Sequence, residues 1–167
     1  HNNLGAALKS QGKTDEAIEH YNQAIKNDPD YAEPHYNLAL TFMVQNRLDE
    51  ALGHFRHVRR IKGDWPEALA GIAWILATHP DDKKRDPKQA IALGEYIVKS
   101  SNSRNTRYLD ILAMAYASDG RFSQAVTTAQ KALSLASAAN ATKIVRAIQR
   151  RLELYKQGKP YLRPAAK

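Results

Sequence analysis

The side chains best suited to chemistry in this 167-residue chain are two small groups of ionisable residues. Glu50, His54 and His57 are spaced i, i+4 and i+7, so they share one face of a helix, and two imidazoles with a carboxylate can bind zinc. The apolar stripe of that helix lies at other positions, which predicts that the trio faces solvent. We therefore expect no metal site there.

Acidic residues cluster a second time at Asp81, Asp82 and Asp86, where paired carboxylates could serve acid–base chemistry. Basic residues at 83–85 stand between them, a mixture typical of a solvated turn. The chain has no glycine-rich phosphate loop, nucleophile elbow or zinc-protease motif. The sequence predicts no enzyme, no bound metal and no cofactor.

Composition indicates a chain that can build a core, since 43% of residues are hydrophobic and 25% are charged. No run of 18 apolar residues is present, so no membrane span is predicted, and no secretory signal opens the chain. Cysteine is absent, which excludes disulfides, thiol nucleophiles and cysteine-ligated metals. A soluble domain is expected, and its location, cytoplasmic or periplasmic, stays open.

Charge is unevenly distributed, because residues 1–80 carry a net charge of −2 and residues 81–167 carry +10. Such asymmetry can mark contact with a polyanion or a membrane surface. The candidate contacts are Arg146, Arg150, Arg151 and Lys156. The alternative is the solvated outer face of a terminal helix, which we favour, and a nucleic-acid partner is not expected.

The chain repeats itself at a period of 34 residues. Leu4-Gly5, Leu38-Ala39 and Ile72-Ala73 are separated by that interval, and Leu112-Ala113 opens a fourth copy. A small residue follows 13 positions after the first leucine in copies one, two and four, at Ala17, Ala51 and Ala125. In the third copy this distance grows to 18, which places a five-residue insertion within residues 79–85.

This period and the alternation of small with large residues resemble the tetratricopeptide repeat (TPR), a helix–turn–helix unit. The resemblance implies an all-α chain, an α-α superhelix or TPR solenoid. The expected repeats are 1–31 (truncated), 32–65, 66–105 (with the insertion) and 106–136, followed by a capping helix and a basic, proline-containing tail at 137–167. Residues 69–80, 110–116 and 154–161 are similar to the C-terminal TPR region of larger bacterial proteins.

Local signals predict where helices begin and end. Gly12 and Gly120 suit the left-handed residue after a helix, Thr14 suits an N-cap, and Asp86 before a proline suits another. The last helix is predicted at Thr142–Lys156, with Ile144, Ile148, Leu152 and Tyr155 on one stripe. Residue 1 already stands at the fourth position of a first helix, so we expect a longer protein with more sequence before it.

The resemblance implies a groove lined by the first helix of each repeat. Its candidate binding residues are Asn3, Tyr36, Asn37, Leu40, Met43, Trp74 and Met114. Asn3 and Asn37 share one register position and resemble the asparagine ladder with which some TPR superhelices hold an extended peptide, but the ladder stops at Gly71. The alternatives are that these asparagines serve helix packing, and that Trp74 and Met114 lie under the C-terminal helix.

These observations favour a non-catalytic module for protein–protein interaction or scaffolding, with a protein or peptide partner in the groove. Of the Lys/Asn/Arg clamp by which chaperone-binding TPR domains hold a terminal carboxylate, only Asn37 is matched, and Glu33 and Glu67 would repel such a group. Two alternatives stay open: self-association into a homo-oligomer, and contact of the basic C-terminal helix with a polyanion or membrane surface.

Overall fold

The computed structural model describes residues 1–164, and over this range the secondary structure is all helical, as the sequence predicts. A short 3₁₀ turn lies at Asp82–Lys84. Nine α-helices occur in the described part of the chain: α1 (Asn2–Ser10), α2 (Thr14–Asn27), α3 (Ala32–Val44), α4 (Leu48–Lys62), α5 (Pro66–Thr78), α6 (Pro87–Ser100), α7 (Thr106–Ser118), α8 (Phe122–Ala138) and α9 (Thr142–Lys156). None of these helices within residues 1–164 is long and apolar enough to cross a membrane.

The first compact unit, unit 1, is His1–Gly71. Within it α1 packs against α2, α2 against α3, and α3 against α4. Large apolar side chains fill the space between these helices, and Tyr21, Leu38 and Phe55 are at most 1% exposed. Alanines beside them let the helices approach closely, so bulky and small residues alternate as in a well-packed core.

The second compact unit, unit 2, begins at Ile72 within α5, and its described part ends at residue 164. Here α6 packs against α7, α7 against α8, and α8 against α9. Helix α7 is the central element, because every residue from Tyr108 to Ala117 is buried. Helix α9 contributes Ile148, Leu152 and Tyr155 to this core.

The turns between the paired helices depend on residues with positive φ. Gly12 and Gly120 have φ of 80° and 77°, which confirms the prediction of left-handed residues at both helix ends. Asn46 and Asn140 take the same place after α3 and α8, with φ of 61° and 53°. Asparagine tolerates this region better than most residues, so it substitutes for glycine there.

The N-terminal caps agree with the sequence at one predicted position and differ at the other. Asp86 caps α6, since its carboxylate accepts from the amide of Gln89 at 3.0 Å, and Pro87 is the first helical residue. The prediction for Thr14 is wrong. Helix α2 already includes Thr14 and is preceded by Lys13, and the threonine hydroxyl turns back to the carbonyl of Gly12 at 3.5 Å.

The insertion in the third repeat forms an ordered turn between α5 and α6. The guanidinium of Arg85 donates to the carbonyl oxygens of His79 and Pro80 at 2.7 and 3.2 Å. Asp81 accepts from the amide of Lys83, and the amide of Asp86 donates to the carbonyl of Leu76. Two of the three acidic residues that resemble an acid–base pair in the sequence, Asp81 and Asp86, therefore hold the backbone of this turn.

Helix α9 has the predicted bounds, Thr142–Lys156, but not the whole predicted stripe. Ile148, Leu152 and Tyr155 are buried, whereas Ile144 is 48% exposed. After Gly158 the chain continues without helix or strand through residues 159–164. Residues 165–167, the end of the predicted tail, lie outside the described part of the chain.

Candidate functional site

The most accessible predicted groove residues of unit 1 lie on α3. Tyr36, Asn37, Leu40 and Met43 are each partly exposed, whereas most of the other residues of this helix are buried. Their spacing of i, i+1, i+4 and i+7 places them on one side of a helix. Val44 extends this side and is 79% exposed. We call Tyr36, Asn37, Leu40, Met43 and Val44 the α3 face.

An asparagine pair joins the α3 face to α1. The side-chain amide of Asn37 donates to the side-chain carbonyl of Asn2 at 3.0 Å, and Asn2 donates to the hydroxyl of Tyr31 at 3.4 Å. Asn3, the predicted first rung, is exposed, so the residue that meets Asn37 is its neighbour Asn2. Each amide has more donor and acceptor capacity than this contact uses.

At Gly71, where the predicted asparagine ladder would continue, little space is left for a side chain. A Cβ atom placed on Gly71 would lie 2.5 Å from Cε2 and Cζ of Phe55. Phe55 is itself fully buried in α4. Any side chain at this register position, an asparagine included, therefore requires the Phe55 ring to shift.

Trp65, which is not among the groove residues predicted from the sequence, borders the α3 face. Its ring stacks on Tyr36 with centroids 5.0 Å apart and an angle of 16° between the planes. Tyr36 also meets Phe55 edge to face at 5.9 Å. The sequence does contain a feature that marks Trp65. An aromatic residue stands just before a helix at Tyr31 and again 34 positions later at Trp65.

The two predicted groove residues of unit 2 differ in how much of each side chain is exposed. Met114 is 3% exposed within the buried α7. Trp74 is partly exposed, and the guanidinium of Arg163 lies 5.0 Å from the centre of its ring. The chain after α9 therefore covers the position where the sequence predicts an open aromatic side chain.

An ion pair connects α7 to α9 in unit 2. Arg151 donates from Nε to Oδ1 of Asp110 at 3.0 Å and from Nη2 to Oδ2 at 2.5 Å. Both side chains are mostly buried, at 14% and 12% exposed. Burial raises the pKa of Asp110, and the charge of Arg151 and its hydrogen bonds oppose that rise.

A cavity of about 340 Å³ opens beside this ion pair. It lies between the first turns of α7 and α9, which explains why Ile144 is exposed although it belongs to the apolar stripe. Cationic side chains outnumber the single carboxylate around it. The lining residues are Thr106, Arg107, Asp110, Lys143, Ile144, Ala147 and Arg151.

The four basic residues proposed for a polyanion differ in what they contact. Arg146 and Arg150 are exposed on the outer side of α9. Lys156 is exposed and pairs with Glu153 at 2.8 Å. Arg151 is turned inward and engaged by Asp110, so it takes part in the fold and not in an outer basic face.

Three histidines of unit 1 pack together between α3 and α4. Nδ1 of His35 lies 2.9 Å from Nδ1 of His54, and the His35 and His57 rings are 4.0 Å apart. Burial, chiefly, and the neighbouring His57 lower the pKa of His35 to about 4. Burial also lowers the pKa of His54.

The sequence predicts that Glu50, His54 and His57 face solvent, and for the two histidines this prediction is wrong. The two histidines lie partly buried against His35, and Glu50 pairs with Arg47. The hydrogen bonds point the imidazoles at each other and at the carbonyl of Pro29. Within residues 1–164 no group of three histidine or acidic side chains is arranged to hold a metal ion.

Comparison with known families finds tetratricopeptide repeats in two separate stretches of the chain. Residues 5–46 match a family model described as TPR repeat, and residues 106–138 match one described as tetratricopeptide repeat. No curated protein sequence matches the chain.

Several solved structures are similar in fold. MamA (41-end) from Desulfovibrio magneticus RS-1 has a TM-score of 0.70 at 18% identity, covering 93% of this chain and 85% of that one. YrrB, described as a TPR protein with an unusual peptide-binding site, has a TM-score of 0.69 at 19% identity, with coverage of 94% and 76%. PilW, described as a type IV pilus biogenesis factor, has a TM-score of 0.67 at 16% identity, with coverage of 93% and 76%.

Proposed function

Because the chain is a tetratricopeptide-repeat protein, we propose that it is a non-catalytic interaction module that binds an extended peptide segment of a partner protein on the α3 face. TPR repeats commonly mediate contacts between proteins, and a structure of similar fold, YrrB, is described as having a peptide-binding site. The proposal assigns the chain no reaction and no cofactor.

The observation that carries this proposal is the exposure of apolar side chains on the α3 face. Val44 is 79% exposed, and Leu40 and Met43 beside it are partly exposed. Apolar area removed from water contributes roughly 25 cal/mol per Å², so a partner that covers these side chains gains affinity from them. The unbranched, flexible side chain of methionine adapts to different apolar anchors of a peptide.

Polar groups of the α3 face supply the complementary contacts. Asn37 can offer both a donor and an acceptor to a peptide backbone, and its contact with Asn2 fixes the orientation of its amide. Glu33 precedes this face by one helical turn and is partly exposed. A negative charge at that point disfavours an acidic peptide, so we expect neutral or basic segments with apolar anchors.

The test is a selection from a displayed random-peptide library against the full chain, followed by affinity measurements on the recovered peptides. Leu40→Glu places a charge on the α3 face and is expected to weaken binding at least tenfold. Leu52→Glu is the matched control, since Leu52 is a partly exposed leucine on α4, and it is expected to bind like the wild type. Melting temperatures of both variants verify that each is folded.

Two results would count against the proposal. One is a set of peptides that bind both glutamate variants equally. The other is the recovery of no binding peptide by the wild-type chain. Self-association through the same face would instead give a mass that rises with concentration in the wild type and that Leu40→Glu lowers, which sedimentation measures directly.

A further inference from the structure

The segment that follows α9 returns to α5 within unit 2. The backbone amide of Arg163 donates to the carbonyl oxygen of Thr78 at 2.8 Å. The guanidinium of the same residue lies over Trp74, 5.0 Å from the ring centre, a distance that permits cation–π attraction. We call residues 159–164 the tail and its contacts on Trp74, Thr78 and Arg151 the tail site.

A second side chain of the tail is held two residues earlier. The ring of Tyr161 lies 5.5 Å from the guanidinium carbon of Arg151. Two hydrogen bonds to Asp110 hold Arg151 in place, so this side of the tail site does not depend on the tail. In an extended segment, residues two apart point to the same side, which lets tyrosine and arginine engage the site together.

The backbone contact has no requirement for a particular sequence. Thr78 is the last residue of α5, and the final carbonyls of a helix have no partner within it. Any extended chain can donate an amide to that oxygen. The side-chain contacts therefore define what the site selects: an aromatic ring and, two residues later, an arginine.

The tail is partly exposed and irregular, as expected of a segment that can dissociate from the tail site. Lys159 and Pro164 are exposed, Leu162 is 37% exposed, and residues 159–164 form no helix or strand with the rest of unit 2. Its position at the end of α9 tethers it to the site. Such a short tether gives an effective concentration on the order of millimolar, so the tail competes strongly with any peptide from outside.

We propose that the tail site is a peptide-binding site that the chain fills with its own tail, and that a partner occupies it with an extended Tyr-x-Arg segment after displacing that tail. The site lies in unit 2 and stands independently of the α3 face. The tail thus acts as an in-cis competitor, which keeps the site closed to weak ligands.

The experiment uses the full chain and a fluorescent hexapeptide, Lys-Pro-Tyr-Leu-Arg-Pro, that reproduces the tail. Arg163→Ala releases the tail from Trp74 and is expected to bind the peptide at least tenfold more tightly than the wild type. Arg146→Ala removes an exposed arginine that does not contact the site, and is expected to match the wild type. A peptide with alanine in place of its arginine is expected not to compete.

The double variant Arg163→Ala/Trp74→Ala locates the binding. It is expected to lose the gain shown by Arg163→Ala alone. Equal affinity of the wild type and Arg163→Ala would overturn the proposal, as would a gain that survives loss of the Trp74 ring. The tail would then be a fixed part of the fold.

A measurement on the wild type covers the case in which a variant fails to fold. Amide hydrogen exchange is followed for the tail and for α9 while the hexapeptide is added in excess. Displacement predicts faster exchange at Arg163 with unchanged protection in α9. Unchanged exchange of the tail at millimolar peptide would overturn the proposal.

Discussion

Arg151 in α9 donates two hydrogen bonds to the carboxylate of Asp110 in α7, at 3.0 and 2.5 Å. The pair sits mostly out of water, and the same guanidinium lies 5.5 Å from the ring of Tyr161. Arg151 therefore has two roles. It joins the last helix to the core of unit 2, and it forms one side of the tail site.

Replacing Arg151 alone is expected to lower the free energy of unfolding more than replacing Arg151 and Asp110 together. Arg151→Met leaves the carboxylate of Asp110 buried without its cation, and removal of one partner of a buried pair costs about 3–5 kcal/mol. The double variant Asp110→Asn/Arg151→Met removes the uncompensated charge and is expected to recover more than half of that loss. Urea unfolding of the wild type, Arg151→Met and the double variant measures the difference, and a double variant no more stable than Arg151→Met would contradict it.

Acid is expected to destabilise the chain through His35. Its imidazole stays neutral in the folded chain down to a pKa of about 4, whereas in the unfolded chain it protonates near pH 6.5. The free energy of unfolding therefore falls as the pH drops from 6.5 to 4, and the stabilisation is complete above 6.5. Over this range His35 changes the free energy of unfolding by at most about 1.4 kcal/mol per pH unit.

The control for this pH dependence is His35→Leu, because Leu69 stands at the same position of the next repeat. Its unfolding free energy should change less between pH 6.5 and 4 than that of the wild type. The residual slope reports His54, whose pKa burial also lowers. Identical slopes for the two chains would mean that His35 does not titrate differently in the folded state.

Periodicity was enough to predict the all-α TPR fold, because its signals are local. The 34-residue interval and the apolar stripe of α9 each lie within one or two helices, and hydrophobic burial fixes which face turns inward. The bounds Thr142–Lys156 follow from that stripe. The insertion at residues 79–85 was predictable for the same reason, since it interrupts a regular spacing.

The tail site could not be predicted in this way. Arg163 meets Trp74 and Thr78 from the far end of the chain, and no spacing in the sequence reports a contact of that range. The sequence also assigns Arg151 to an outer basic face, because its charge is visible and its partner Asp110 is not. Contacts of this kind depend on how helices pack, which local patterns do not encode.

Substitutions at the helix caps test a point on which the sequence and the structure disagree, the role of Thr14. Asp86→Ala removes a hydrogen bond to the amide of Gln89 and is expected to destabilise the chain by about 1 kcal/mol. Asn105→Ala, which removes the cap on Tyr108, should do the same. Thr14→Ala is the control, since its hydroxyl caps no amide, and a loss as large as that of Asp86→Ala would contradict the structure.

The close approach of Phe55 to Gly71 gives the sharpest prediction for packing. Gly71→Ala places a methyl group 2.5 Å from the ring, and such overpacking costs about 1–3 kcal/mol, partly offset by the better helix propensity of alanine. Gly53→Ala is the matched control, because Gly53 lies within α4 with open space around it, and it should stabilise the chain by about 1 kcal/mol. Urea unfolding gives both values.

In a double-mutant cycle, Phe55→Leu should cost less in the Gly71→Ala background than in the wild type, since the smaller side chain relieves the clash. Equal gains from the two alanines would show that the ring moves aside freely, and that its packing does not require a glycine at position 71.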